Sequence, residues 1–444
     1  MNRRLKQRSS SRRRGRVVLV VAAFVGGVLV MAAPAQAVPS TLYVDRNNPG
    51  CSDVGPGTIT QPLCKIAAAG TRAIAGTTVI VSTGTYPDQV TVKNSGSSAE
   101  PIVFMPAAGA SVTVSGPLYG FRLSAKSWVT IKGFNITGTT SHGIYVSDSA
   151  NITLDGNHVT FAGQPTSALK ARGISLKTTT SSLVAANVID HNTDAGIYLG
   201  TGCLGVVVRS NLSFSNARQY TRAAAGIDIR SGGNTVAGNI SHSNEDSGIN
   251  VWDGADNTLA HNNLTMNNGD HGIDVKGSNG VRVLANTVYN NVDSGIEVVS
   301  STGALLANNI SVDNGINSPR TSGNIRVDAT SGATISLDFD LVNLRTTGVM
   351  IDWAGTRYSS LAAFHAATGR EPRGIEADPR FRLPGAGDLH LLAASPAIDS
   401  ANSGASGQPV TDADGNGRVD DPATPDTGVG PRTFDDRGAY EFQP

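Results

Sequence analysis

Apolar and polar residues alternate along much of the chain in short runs of four or five positions. At that period successive side chains point to opposite faces of a β-strand. Many runs open on a Gly-Ile pair. The glycines are Gly143, Gly173, Gly196, Gly226, Gly248, Gly272 and Gly295, at intervals of 30, 23, 30, 22, 24 and 23 residues. Two asparagine registers accompany them. Asn157, Asn187, Asn211, Asn239, Asn263, Asn286 and Asn309 lie 13 to 15 residues after their glycines. Asn192, Asn216, Asn244, Asn268, Asn291 and Asn314 each lie five residues after the Asn of the first register. No stretch of this region is apolar at helical spacing for three turns.

A period of 22 to 24 residues with short strands and Asn-bearing corners predicts an all-β fold, a parallel β-helix. Each rung is one circuit of strands, and the crossover rule makes the winding right-handed. Equivalent residues of neighbouring rungs then stack about 4.8 Å apart. Asn tolerates a left-handed corner, and its amide can bond to the amide above it, so both registers read as structural ladders. Weaker rungs precede them at Val79-Ile80-Val81, Val90-Thr91-Val92, Ile102-Val103-Phe104 and Val112-Thr113-Val114. The open ends need covers. Residues 64–75 and 358–368 read as short helices at the two ends, and the loop-rich tail from Asp388 is expected to fold back along the barrel. The expected organisation is a leader over 1–37, a cap with first rungs over 38–120, repeats over 121–345, and a C-terminal cap and tail over 346–444.

Charge distribution supports the leader. The first 37 residues hold eight basic residues and no acidic ones, then an apolar run from Val17 to Ala33 and the small-x-small site Ala35-Gln36-Ala37. A secretory signal peptide is expected, with an uncleaved anchor as the weaker alternative. Without it the chain has 27 basic against 35 acidic residues, a net charge near −8. An acidic, secreted chain argues against nucleic acid as partner, and no other apolar run is long enough to hold it in a membrane. A monomer is expected. Cys51 and Cys64 flank a short Gly/Pro-rich loop, and export permits a disulfide there, contributing about 3 kcal/mol. Cys203 is left over.

Numbering each rung from its Gly exposes two outward columns, because Ile and Val take the alternate positions. Two residues on stand Tyr145, Ser175, Tyr198, Asp228, Asn250, Asp274, Glu297 and, after Gly323, Arg326. Four residues on stand Ser147, Lys177, Gly200, Arg230, Trp252, Lys276 and Val299. Asp194, Asp246, Asp270 and Asp293 sit two residues before their glycines. Stacked carboxylates repel unless a cation or base lies between them. Asp before a Gly turn is also ordinary corner chemistry. An outward Trp252 between Arg230 and Lys276 suits stacking on a sugar that bears an acidic group. The long rungs insert residues 164–172 and 217–225 at one corner, and the second loop carries Arg218, Tyr220 and Arg222 beside the Gly226 rung.

The remaining motifs point to a family. The N-terminal half holds Tyr43-Val44-Asp45, Gly57-Thr58, Gln61-Pro62-Leu63 and Gly84-Thr85-Tyr86. The C-terminal part holds Asp388-Leu389-His390-Leu391, Ser395-Pro396-Ala397-Ile398-Asp399, Asp412-Ala413-Asp414-Gly415-Asn416 and Gly438-Ala439-Tyr440-Glu441. With the rungs, these resemble secreted bacterial right-handed parallel β-helix proteins of the pectate-lyase-like superfamily, over nearly all of the chain after the leader. The nearest pattern is that of polysaccharide lyase family nine. That family holds Ca2+ with an Asp-Asp-Gly-x-Asp segment and an Asp one rung earlier. Asp270-His271-Gly272-Ile273-Asp274 matches the segment with His271 in place of the second Asp, and Asp246 fits the earlier rung. The resemblance puts the catalytic Lys on a later rung, whereas Lys276 is the last lysine of this chain.

From these residues the expected partner is a polysaccharide, uronate-containing, and the expected reaction is Ca2+-assisted β-elimination. Asp246, Asp270 and Asp274 would be Ca2+ ligands. Lys276 would be the base, because lysine gives up its proton beside a cation whereas arginine stays protonated. His271 and Arg230 are further catalytic candidates. Trp252, Arg218, Tyr220, Arg222, Asp228, Glu297 and Arg326 would meet substrate. A glycoside hydrolase, a C5-epimerase or a non-catalytic glycan-binding or adhesion module remains open on the same scaffold. Asp412 to Gly417 imitates the start of an EF-hand loop but has Ala423 at the twelfth position, and reads as a turn or at best a weak Ca2+ site.

Overall fold

The structure, a computed structural model, describes residues 40–163, 170–217, 224–316, 318 and 320–444. The expected signal peptide at 1–37 and the loop residues Arg218, Tyr220 and Arg222 lie outside the described residues. Among the described residues, strands assemble into three twelve-stranded sheets, the walls of a right-handed parallel β-helix. Each rung gives one strand to each wall. The rung containing Gly248, for instance, has Ile249–Trp252 on the second wall, Leu259–His261 on the first and Leu264–Met266 on the third.

The Gly-Ile repeat becomes a stacked interior column. Ile144, Ile174, Ile197, Ile227, Ile249, Ile273, Ile296, Ile325 and Ile351 pair rung to rung in register. All nine are fully buried, each worth about 1.5–3 kcal/mol of apolar burial. The preceding glycines are required by space. None of the seven has a positive φ. A Cβ at Gly143 would lie 2.2 Å from Val159, and one at Gly226 would lie 2.0 Å from the Ser241 hydroxyl. Small interior hydroxyls use that gap: Ser241 Oγ donates to the Gly248 carbonyl at 2.7 Å and Ser213 Oγ to the Gly226 carbonyl at 2.8 Å.

Both Asn ladders form. The Asn239 side-chain amide donates to Asn263 Oδ1 at 3.0 Å, and Asn263 to Asn286 at 3.0 Å. The second ladder runs the same way, from Asn216 to Asn244 and on to Asn268. The left-handed corner belongs to a different residue from the one expected. Asn262, Ala285 and Asn308, with φ of 55°, 51° and 62°, directly precede first-register Asn residues. The ladder Asn supplies hydrogen bonds to buried backbone, and its predecessor supplies the bend.

The ends are closed as the patterning suggests. The helix Ile66–Arg72 buries Ile66, Ala69 and Gly70, tied to the neighbouring loop by the Cys51–Cys64 disulfide. At the other end Ser360 caps the helix Leu361–Thr368 by accepting from the Ala363 amide. Phe364 of that helix packs on Trp353 and Tyr358. The tail then runs back over the outside of the third wall. Phe381, Leu389, Leu391, Ile398 and Tyr440 form a second core with Leu264, Met266, Tyr289, Ile310 and Leu341 of that wall. A buried ion pair, Arg418 to Glu441 at 2.7 Å, locks the Gly-Ala-Tyr-Glu signature. Asp412 is a turn residue, as expected, with its carboxylate taken by the Asn416 and Glu441 amides.

Candidate functional site on the second wall

The register reproduces the outward columns. Asp228, Asn250, Asp274, Glu297 and Arg326 are successive partners, as are Trp252, Lys276 and Val299. Outward does not mean exposed. Asp228, Asp274 and Glu297 are buried, at 8%, 2% and 6% exposure, because guanidinium and imidazole groups pack over them.

Asp228 holds Arg230 Nε at 2.7 Å, and Arg230 Nη1 reaches Asp253 at 2.7 Å. The Arg230 guanidinium lies 4.5 Å from the Trp252 ring centre, and the Lys276 amine lies 5.0 Å from it. Lys276 is exposed and has no ion-pair partner among the described residues. Tyr145 and Tyr198 continue the column away from the charges. Tyr145 stacks on Tyr119 at 5.5 Å, and Arg172 lies 3.4 Å over Tyr198.

The charged centre is one rung step further. His271 Nε2 lies 3.0 Å from Glu297 Oε2 and 3.2 Å from Asp270 Oδ1. Arg326 takes the other Glu297 oxygen. Arg320 bridges Asp270 at 3.1 Å and Asp293 at 2.8 Å, and Ser318 donates to Asp293. Burial opposes protonation of His271. Its bond to Glu297 and the charges of Asp274, Glu297 and Asp270 outweigh that and raise its pKa to about 9. The raised pKa favours the imidazolium form, tied to two carboxylates, an arrangement that suits an ion-pair role better than that of a base. Glu297 and Arg326, expected to meet substrate, satisfy each other. Burial pushes Glu297 upward, but the His271 hydrogen bond and charge, then Arg326, carry it below the ordinary glutamate value.

Burial, with Asp293 and Asp246 as neighbours, pushes Asp270 up to about 9. Burial also raises Asp274 to about 7, against the charge of His271. The Trp252 indole N–H lies near enough to favour the Asp274 anion without the alignment of a hydrogen bond. One oxygen of Asp246 and one of Asp274 are buried without a partner. The cluster thus sets five carboxylates (Asp246, Asp270, Asp274, Asp293, Glu297) against three cationic groups (His271, Arg320, Arg326). The excess of two negative charges calls for a divalent cation or two protons. On this face the groups whose ligand atoms lie within 4.8 Å of one another are Asp270, His271 and Asp293, and His271, Asp274 and Glu297; Asp246 belongs to neither.

Sequence reasoning missed Arg320 and Ser318. They lie in an insertion before Gly323, the same corner as the residue 217–225 insertion, and the 28-residue interval from Gly295 to Gly323 was the available signal. Two grooves among the described residues lie elsewhere. One of about 290 Å³ runs past Trp128 on the first wall, and one of about 450 Å³ lies between Arg209, His261 and the tail at Asp412–Gly415. Neither contains the charged column.

The fold defines a right-handed parallel β-helix protein. Residues 110–264 and 172–339 match the right handed beta helix region, together more than half of the sequence, and the chain belongs to that family. The uncharacterized protein YwoF of Bacillus subtilis (strain 168) is 29% identical over 244 residues. That match covers 51% of this chain, which spans about half (46%) of YwoF. Pectate lyase Pel9A superposes with a TM-score of 0.55 at 18% identity, covering 91% of this chain and 96% of its own. XylC in complex with xylose gives 0.53 at 13% identity, covering 70% and 75%. At these identities the two structures establish the shared fold.

Proposed function

We propose that the second wall binds an acidic, uronate-containing polysaccharide and cleaves it by β-elimination. The observation that carries this is Trp252, flanked on its own face by Arg230 and by the unpaired Lys276, next to a buried cluster with excess negative charge. The indole offers a flat surface for a pyranose ring and the Arg230 guanidinium flanks it for a carboxylate. Tyr198, Tyr145 and Tyr119 extend the platform for further sugars.

Lys276 follows Asp274 by two residues on the same strand face, about 7 Å away. As a neutral amine it takes the proton from the carbon beside the uronate carboxylate, and the electron pair expels the glycosidic oxygen. Asp246, Asp270 and Asp274 would hold a Ca2+ ion. When bound, such an ion would neutralise a uronate carboxylate and make the adjacent C–H more acidic. Arg230 releases Asp253, which is exposed, to grip substrate. The reading takes the protein to be a secreted monomer, in keeping with the leader over 1–37.

One observation favours a second reading. Asp274 is raised while its neighbour Glu297 is lowered, and stacked rungs put the two carboxyls near the roughly 5 Å of a retaining glycoside hydrolase. The test is ultraviolet absorbance of unsaturated products from pectate, alginate and other uronate polymers, with and without a chelator. Chelator-sensitive absorbance supports elimination. New reducing ends without absorbance replace it with hydrolysis, and silence in both leaves a binding module.

A further inference from the structure

The C-terminal tail carries a second acidic cluster that the side-face chemistry does not use. Asp399, Asp420 and Asp426 each offer a carboxylate oxygen, all within 4.8 Å of one another. Asp399 ends the Ser-Pro-Ala-Ile-Asp signature and is fully buried. Its main chain is fixed on both sides: the amide donates to Asp436 Oδ1 at 2.8 Å, and the carbonyl accepts from Thr427 and Gly428 at 2.8 and 3.0 Å. Its side chain is not. Neither carboxylate oxygen has a hydrogen-bond partner, and only the Asp421 amide lies near enough to offset the charge.

The charged groups that act on that carboxylate most strongly are negative. Asp420, Asp426 and Asp421 act on it with the same sign, and no lysine or arginine pairs with Asp399, Asp420 or Asp426 among the described residues. Asp421 is occupied by its own turn, accepting from the Ala423 amide and the Thr424 hydroxyl. Asp426 gives one oxygen to Thr433 Oγ and keeps the other. Asp420 and Asp426 are exposed, so the mouth of the cluster opens to water. A buried carboxylate without donors costs several kcal/mol unless a cation meets it.

We propose that Asp399, Asp420 and Asp426 form a Ca2+ site that ties two segments of the C-terminal tail together. The donors are all oxygen, two of the three carboxylates face water that can complete six to eight ligands, and no soft ligand is present. The site joins the segment at 395–400, which packs against the third wall through Ile398, to the loop at 420–426. Its role is structural and independent of the reaction on the second wall.

The experiment is thermal melting and calorimetric Ca2+ titration of the purified protein, beside Asp399→Asn, Asp420→Asn/Asp426→Asn and Asp274→Asn. Millimolar Ca2+ should raise the wild-type melting temperature by a few degrees relative to a chelator. The exposed double variant, which does not disturb the core, should show a smaller rise and lose one Ca2+-binding event in the titration. Asp274→Asn should keep the share of the rise that the double variant loses. A wild-type melt indifferent to chelation, or a rise and a binding stoichiometry undiminished in the double variant, overturns the site. A rise lost only in Asp274→Asn assigns the stabilisation to the second wall and also overturns it.

Discussion

Trp252 and Lys276 are register partners on adjacent rungs, with the Lys276 amine 5.0 Å from the indole centre. Arg230 meets the same ring at 4.5 Å but spends its charge on Asp228 and Asp253. Lys276 spends its charge on no carboxylate among the described residues, so of the two cations it is the one free to exchange a proton with substrate. Lys276→Met keeps the length and apolar stem of the side chain. It should lower turnover by about 10²–10⁴-fold while leaving substrate affinity and melting temperature nearly unchanged. Arg230→Met should instead raise KM, since the arginine stays protonated and can only bind. Full turnover in Lys276→Met would remove Lys276 from the mechanism.

Protons and a divalent ion compete for the same oxygens on the second wall. Asp274 is raised to about 7 and Asp270 to about 9, burial being the first cause in each. A metal needs them deprotonated. Ca2+ affinity at this face should therefore fall as pH drops through about 7, by about tenfold or more between pH ~8 and ~6. Asp274→Asn should weaken the binding and remove its share of the pH dependence, leaving that of Asp270. Titration calorimetry at the two pH values, in a background lacking Asp420 and Asp426, measures this. An affinity that does not change with pH would mean that neither Asp270 nor Asp274 is a ligand.

The Gly column makes a sharp packing prediction. A Cβ at position 226 would sit 2.0 Å from Ser241 Oγ and 2.5 Å from Asn244 Nδ2. Gly226→Ala should destabilise by about 1–3 kcal/mol through overpacking. Adding Ser241→Ala removes the nearest atom and should return part of the loss, a coupling that chemical denaturation of the four-member cycle reads directly. Strict additivity would show that the column is set by something other than space.

The sequence carried the rungs because stacking repeats one environment many times. Each Ile of the column and each ladder Asn meets the same neighbours one period later, so a single glance at spacing locates them. Which corner residue is left-handed was not legible. Asn262, Ala285 and Asn308 share φ near +55° but not a residue type, so hydrogen-bonding Asn drew the inference to the wrong position. The candidate site was legible as a column and not as a set of partners. Register gave Asp274 beside Glu297, but the pairing of Arg320 with Asp270 and Asp293 comes from an insertion whose path no periodicity fixes. The charge state of His271 likewise depends on Glu297 of the next rung, which reaches it only after folding, beside its sequence neighbours Asp270 and Asp274.

The C-terminal end of the first Asn ladder gives a stability test that is independent of function. Asp340 stands where another Asn would, and its Oδ1 accepts from the Asn309 amide and side chain at 2.8 and 2.9 Å. Glu371 packs against it, with Oε2 accepting from the Asp340 amide at 3.3 Å. Both are buried, and each leaves one carboxylate oxygen without a partner. Burial raises Asp340 to about 6, and burial with the Asp340 charge raises Glu371 well above the ordinary range. The folded state thus binds protons here more tightly than the unfolded chain. Stability from this pair is fully present below the unfolded carboxylate pKa near 4 and is lost as pH rises through the folded value of about 6. Glu371→Gln keeps the acceptor for the Asp340 amide, adds a donor toward Asp340 and cannot ionise. Relative to wild type it should be more stable at pH ~8, by on the order of 1 kcal/mol, and the advantage should shrink toward pH ~4, where Glu371 is protonated in both states. Denaturant unfolding at the two pH values, taken as the difference between the proteins, cancels the titrating groups not coupled to Glu371 and leaves Glu371 with its neighbour Asp340. A variant that loses stability equally at both would show that the Glu371 carboxylate is already neutralised in the native protein by a partner other than a proton.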